Sequence, residues 1–80
     1  YLGKNADRAI ADFTEVIRLP RNRYTTDAYF YRGMVYRNDK GDLDRTIADF
    51  EQLLLIDPNY ENNGIKIREV LESFKQQRGR

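Results

Sequence analysis

The 80-residue chain contains no cysteine and no histidine. Without cysteine there is no disulfide framework, no thiolate chemistry and no zinc site built on sulfur, and the redox compartment stays open. Without histidine the chain lacks the usual general base near neutral pH and the commonest metal ligand. Charge of one sign is also missing. Fourteen Lys and Arg face 13 Asp and Glu, for a net charge of +1, which gives no field strong enough to imply nucleic acid or an anionic membrane. No apolar run approaches the roughly 18 residues of a spanning helix, and no signal-peptide pattern opens the chain. No glycine-rich loop suited to cradling phosphate is present. These absences point away from an enzyme, a cofactor, a metal and a membrane. The chain opens on Tyr1 and not on Met, so it is expected to be cut from something longer. The compartment stays open, with the cytoplasm the favoured expectation.

What is present is a repeat. Arg8-Ala9-Ile10-Ala11-Asp12-Phe13 returns 37 residues later as Arg45-Thr46-Ile47-Ala48-Asp49-Phe50, with five of six residues identical. The likeness continues from Val16-Ile17 to Leu53-Leu54 and from Leu19 to Ile56. Self-similarity at a period of roughly 20–50 residues marks a repeat array. In such arrays each unit buries its apolar face against the next and the stack offers a long surface to partners. A binding scaffold is therefore expected over a catalyst.

The periodicity is helical throughout, with no strand pattern to compete. Asn5 reads as an N-cap with Asp7 in the first turn. Ala6, Ala9, Ile10, Phe13, Val16 and Ile17 then recur at helical spacing, and Pro20 stops the run. Thr25 or Thr26 caps a second helix that reaches about Asn38. Gly41 is available for a positive φ in the turn that follows. Asp42 caps a third helix with the stripe Leu43, Ile47, Phe50, Leu53, Leu54 and Ile56. Asp57-Pro58-Asn59 ends it. A fourth helix starts near Glu61 to Asn63 and carries Ile67, Val70, Leu71 and Phe74. The tail is polar.

At 100° per residue the second helix divides. Ala28, Tyr29, Arg32, Val35 and Tyr36 fall on one side, with Gly33 at its border open to a close backbone approach. Asp27, Phe30, Tyr31, Met34, Arg37 and Asn38 fall on the other. Phe30 and Met34 have no obvious core left to cover, and an apolar pair rimmed by polar groups suits a binding groove.

Tyr29-x-x-Arg32-Gly33-x-x-Tyr36, Gly41-Asp42-x-Asp44-x-x-Ile47-x-x-Phe50 and Asp57-Pro58-Asn59 together resemble a tetratricopeptide repeat. The family's aromatic, Gly, Tyr, Phe and Pro positions are matched by Tyr29, Gly33, Tyr36, Phe50 and Pro58. Residues 1–20 look like the second half of a preceding repeat, with Ala9 and Phe13 on its Ala-x-x-x-Phe step. Residues 25–58 look like a complete repeat and residues 60–78 like a capping helix. The period here is 37, against about 34 in the family. Thr46 and Leu53 stand where the family has Ala, and Leu53 would push its helix outward unless a neighbour gives way. The resemblance implies an all-α fold, with helical hairpins stacked as an α–α superhelix and closed by a C-terminal capping helix. It implies no cofactor, and a peptide or helix of another protein bound on the concave face. Some tetratricopeptide domains clamp a C-terminal carboxylate with Lys and Asn. The matching positions here are Phe30 and Met34, so that clamp is absent.

The expected partner surface is Asp27, Phe30, Tyr31, Met34, Arg37 and Asn38, joined by Ile65 and Glu69 from the capping helix. Phe30 and Met34 could instead pack against the next helix of a longer array or against a crystal neighbour. Arg32 on the packing side needs an anion, and Asp12 or Asp49 is the natural one. Asp12 with Glu15, and Asp49 with Glu51, could in principle form acid–base pairs, but repeat symmetry already explains the duplication. Six tyrosines with scattered arginines make RNA or single-stranded DNA an alternative ligand. Their helical core spacing favours packing. Self-association is a third reading. Much of the first helix's stripe would be covered by a preceding helix in a complete repeat, so a second copy is expected to cover the Phe13 side, as a homodimer through this helix or by an exchange of helices. A preceding helix in the parent protein would do the same.

Overall fold

The computed structural model describes residues 5–79. Residues 1–4 and Arg80 lie outside that range, and with them the expectation that Tyr1-Leu2-Gly3 carries the end of an earlier helix. Four helices follow one another: α1 (Ala6–Arg18), α2 (Thr25–Asp39), α3 (Leu43–Ile56) and α4 (Ile67–Arg78). Two-residue strands, β1 (Glu61–Asn62) and β2 (Ile65–Lys66), lie between α3 and α4. The class is all-α.

The helix ends follow local chemistry. Asp42 caps α3 as expected: its Oδ1 accepts from the Arg45 N–H at 3.0 Å and its Oδ2 from the Arg45 guanidinium at 2.7 Å. Gly41 takes a φ of 61° in the turn before it, a conformation that costs glycine nothing. Asn5 and Tyr24 precede their helices without a side-chain capping bond. The entry to α2 is set by Asn22 instead. Its Oδ1 accepts from the Tyr24 N–H at 2.8 Å, and its own N–H donates to Thr25 Oγ1 at 2.9 Å. That local side-chain turn replaces the cap expected from Thr25 or Thr26.

One element differs from expectation. The fourth helix begins only at Ile67. Ahead of it Glu61 pairs with Lys66 and Asn62 with Ile65 in an antiparallel ribbon. The chain reverses through Asn63 at φ 52° and Gly64 at φ 78°. Positive φ at both central residues is the hairpin geometry that Asn-Gly adopts most readily. Ile65 therefore sits on a ribbon and not on the capping helix.

The helices pack in chain order, α1 on α2, α2 on α3 and α3 on α4. Ile47, Phe50, Leu53, Tyr60, Ile67, Leu71 and Phe74 form the buried core, with Tyr29, Phe30, Met34, Leu43, Leu54 and Val70 half-buried around it. Phe50 is fully buried at the centre, between Phe30 at 5.8 Å and Phe74 at 5.7 Å by ring centroids. Ile47, Ile67 and Leu71 are buried with it, whereas Tyr29, Tyr36 and Leu54 are only half-buried. Leu53 is fully buried, because Tyr60 and Ile67 from the following segment close around the same cluster. Gly33 brings α2 close to α3, and a Cβ there would stand 2.8 Å from Phe50 Cε1. The group that comes close is thus an aromatic ring. The Gly33 carbonyl accepts from Thr46 Oγ1 at 2.9 Å. Among the described residues no helix is long and apolar enough to cross a membrane.

Candidate functional site

Helix α2 has a partner on two sides, and this decides the fate of the expected groove. Toward α3 it sends Arg32. The guanidinium forks onto Asp49, Nε to Oδ2 at 2.9 Å and Nη2 to Oδ1 at 2.5 Å. The hydrogen bonds and charge of Asp49 raise the Arg32 pKa further above its ordinary value, against the opposing effect of burial. Arg32 Nη1 also donates to Thr14 Oγ1 at 3.1 Å, and Thr14 donates to the Ile10 carbonyl at 2.6 Å. One cation therefore ties α1, α2 and α3 together. Of the two carboxylates expected to hold Arg32, Asp49 does so and Asp12 is exposed. Asp49 lies between α2 and α3, whereas α1 turns Thr14 toward α2 in its place.

The eight expected surface residues divide into two groups. Phe30 and Met34 pack against the core, so the expectation that no core remained for them is corrected. Phe30 meets Phe50, lies edge-on to Tyr31 at 5.1 Å and reaches Tyr60 at 5.9 Å. Asp27 Oδ1 accepts from the Tyr60 hydroxyl at 2.6 Å. Burial, and then that hydrogen bond, push the Tyr60 phenol well above its usual range. The Arg37 guanidinium lies 5.1 Å over the Phe74 ring. These four side chains are half-buried and serve the packing between α2 and the segment that follows α3.

The other four face solvent. Tyr31 is 45% exposed and Ile65 is 55% exposed; Asn38 and Glu69 are exposed as well. Tyr31 extends the aromatic cluster outward and stacks on Phe13 of α1 at 5.9 Å. The structure thus joins Asp27, Phe30 and Tyr31 around Tyr60. Asn38, Ile65 and Glu69 make no side-chain hydrogen bond or ion pair with that group among the described residues.

Tyr60 is the residue that sequence periodicity missed. It lies in a connection, where helical spacing says nothing. The Asn-Gly step three residues on was the available signal, since a hairpin there holds Tyr60 against the core. The Tyr60 carbonyl accepts from the Ile67 N–H at 3.2 Å across the ribbon.

Among the described residues, clefts also lie outside the expected groove. One of about 170 Å³ runs beside the ribbon between Tyr60, Lys66 and Arg68. A second is lined by Leu54, Leu55 and Leu71, with Leu55 76% exposed. A third lies between Asp7, Ile10, Tyr36, Lys40 and Arg45. The carboxylates that repeat symmetry pairs do not converge: Asp49 holds Arg32, Glu15 holds Arg18 and Glu51 holds Lys75. Among the described residues no three side chains gather into a group able to hold a metal ion. Arginines of the chain itself cover tyrosine faces, Arg23 over Tyr24, Arg32 over Tyr29 and Arg45 over Tyr36. Comparison with protein-family models, with curated proteins and with solved structures finds no match to this chain.

Proposed function

We propose that the chain is a tetratricopeptide-like interaction module that holds a peptide or helix of another protein without a cofactor. One observation carries this reading: among the described residues the main packing follows chain order, α1 on α2, α2 on α3 and α3 on α4. Packing of this kind suits a stacked array, in which the surface grows with each added helix and no central cavity forms. The two copies of the Arg-x-Ile-Ala-Asp-Phe motif support it, because α1 and α3 carry them and lie on either side of α2. The binding face of this reading is the exposed part of the predicted surface. Tyr31 and Ile65 are the apolar anchors, with Asn38 and Glu69 as a polar rim. Phe30 supports Tyr31 from beneath, and both Phe30 and Met34 pack on the core and do not themselves touch the partner. Exposed aromatic and aliphatic side chains on a rigid base suit the centre of a small interface.

Selection of binders from a displayed library of random peptides tests the proposal. Peptides enriched on the wild-type chain should lose at least tenfold in affinity on Tyr31→Ala with Ile65→Ser. They should keep their affinity on Leu55→Ser, which alters the outer side of α3. Enrichment of peptides sensitive only to Leu55→Ser, or no enrichment at all, would overturn this reading.

A further inference from the structure

The chain has six asparagines, and only Asn63 is followed by glycine. Asn63 and Gly64 form the tip of the β1–β2 ribbon, and both are exposed. A Cβ placed on Gly64 would meet nothing within 4 Å. The Gly64 N–H makes no backbone hydrogen bond among the described residues. Its nitrogen therefore has neither a side chain of its own nor a neighbour to shield it. That nitrogen is the nucleophile in the spontaneous loss of ammonia from asparagine, a thermolabile residue. The ribbon gives the reaction room. It holds only two residue pairs, and so short a ribbon opens locally at little cost.

We propose that Asn63 is a self-modifying site, whose deamidation to isoaspartate unlatches the β1–β2 ribbon from the core. Gly64 N gives its proton to solvent base and attacks Asn63 Cγ. The new N–Cγ bond closes a five-membered imide. The Cγ–Nδ2 bond breaks, solvent returns a proton to the departing nitrogen, and ammonia leaves. Water then opens the ring. Attack at Cγ restores the original backbone, as aspartate. Attack at the former backbone carbonyl leaves the chain running through Cγ, as isoaspartate with a free α-carboxylate. Both products replace a neutral amide with a carboxylate, and no oxidant or reductant takes part.

The two products have different consequences. Aspartate tolerates the left-handed conformation that Asn63 adopts at φ 52°, so the ribbon survives its formation. Isoaspartate adds one methylene to the backbone of a two-residue loop, and in such loops the length fixes the register. Asn62 then no longer stands opposite Ile65 as it does in the folded ribbon. The base of the ribbon is where Tyr60 is held. Its carbonyl accepts from the Ile67 N–H at 3.2 Å, and its hydroxyl donates to Asp27 at 2.6 Å. Loss of register strains the first of these bonds and loosens the Tyr60 ring, so a change at an exposed tip reaches the aromatic core.

Ageing the full chain in mildly alkaline buffer tests this. Peptide mass mapping should find Asn63 converted at least tenfold faster than any other asparagine. Isoaspartate is scored by methyl transfer from S-adenosylmethionine with an isoaspartyl carboxyl methyltransferase. Gly64→Ala should slow the conversion at least tenfold, although alanine at φ 78° weakens the turn, because its methyl shields the nitrogen. Asn63→Gln should show no conversion on the same timescale, since its longer side chain would have to close a six-membered ring. It carries the chemical test if Gly64→Ala does not fold. The isoaspartyl form, purified from the aged chain by chromatography, should exchange its Ile67 amide hydrogen at least tenfold faster than the unaged chain. Asn63→Asp should exchange it like the wild type. Conversion of Asn63 no faster than that of the other asparagines overturns the proposal. So does an isoaspartyl form with wild-type exchange at Ile67, or an Asn63→Asp variant that loosens as much, since charge and not the backbone would then be the cause.

Discussion

Arg32 and Asp49 lie 17 residues apart and meet as a two-bonded fork, the arginine side chain 18% and the aspartate side chain 6% exposed. The fork also fixes Thr14, so it orders three helices around one point. Its geometry satisfies a cation that α2 would otherwise bury unpaired among Ala28, Val35 and Tyr36.

Asp49→Ala should therefore be severe. Removing one partner of a buried pair leaves the other charge uncompensated and costs about 3–5 kcal/mol. A domain of this size has only about that much net stability, so the variant should be largely unfolded in urea titrations. Arg32→Met with Asp49→Leu, which removes both charges, should recover most of the loss. A single Asp49→Ala that melts like the wild type would show that the fork is ornamental.

Gly33→Ala should destabilise although alanine is the better helix former. The helical gain is about 1 kcal/mol, but a Cβ 2.8 Å from Phe50 Cε1 forces an aromatic to move inside a packed core, at about 1–3 kcal/mol. Phe50→Leu in the same chain should soften the clash. The double variant should then be more stable than the sum of the two single effects predicts, by roughly 0.5–3 kcal/mol. Additive effects would place the strain elsewhere.

Phe50→Ala should cost about 3–5 kcal/mol, as for other buried aromatics, and nearly abolish the thermal transition. Phe30→Ala should cost roughly half as much, about 2 kcal/mol, because that ring is half-buried. The ordering is the test. A Phe30→Ala melt identical to wild type would return Phe30 to the surface and reopen the apolar groove.

Tyr60 supplies an alkaline signature. Its phenol titrates higher in the folded chain than in the unfolded one, held neutral by burial and by the Asp27 carboxylate. Above about pH 10, the ordinary tyrosine value, the unfolded chain releases a proton that the folded chain keeps. Unfolding is then favoured progressively as pH rises, and the contribution is complete only below that range. Urea midpoints of the wild type should fall between pH 8 and pH 11, and Tyr60→Phe should fall less. Equal slopes for the two proteins would remove Tyr60 from the account.

The sequence by itself determined the local elements. Helical spacing and the prolines at 20 and 58 placed α1 and α3. Asp42 and Gly41 fixed the start of α3, since a cap and a left-handed turn depend on neighbouring residues alone. The repeat placed equivalent side chains on α1 and α3, and the burial cost of a lone guanidinium required an anion for Arg32. Only the tertiary structure decided which anion, because Asp12 and Asp49 occupy the same position of the repeated motif and differ in which flank of their helix meets α2. It also decided the candidate site. Phe30 and Met34 looked free on a helical wheel, which shows direction but not what arrives there. Tyr60, Ile67 and Phe74 arrive through a hairpin, and they draw Phe30 and Met34 into the core edge while leaving Tyr31 and Ile65 outside. The Asn63-Gly64 turn was readable from its dipeptide. Its consequence for Asp27, through a hydrogen bond spanning 33 residues, was not, because contacts that distant are set by how helices stack and not by the residues beside them.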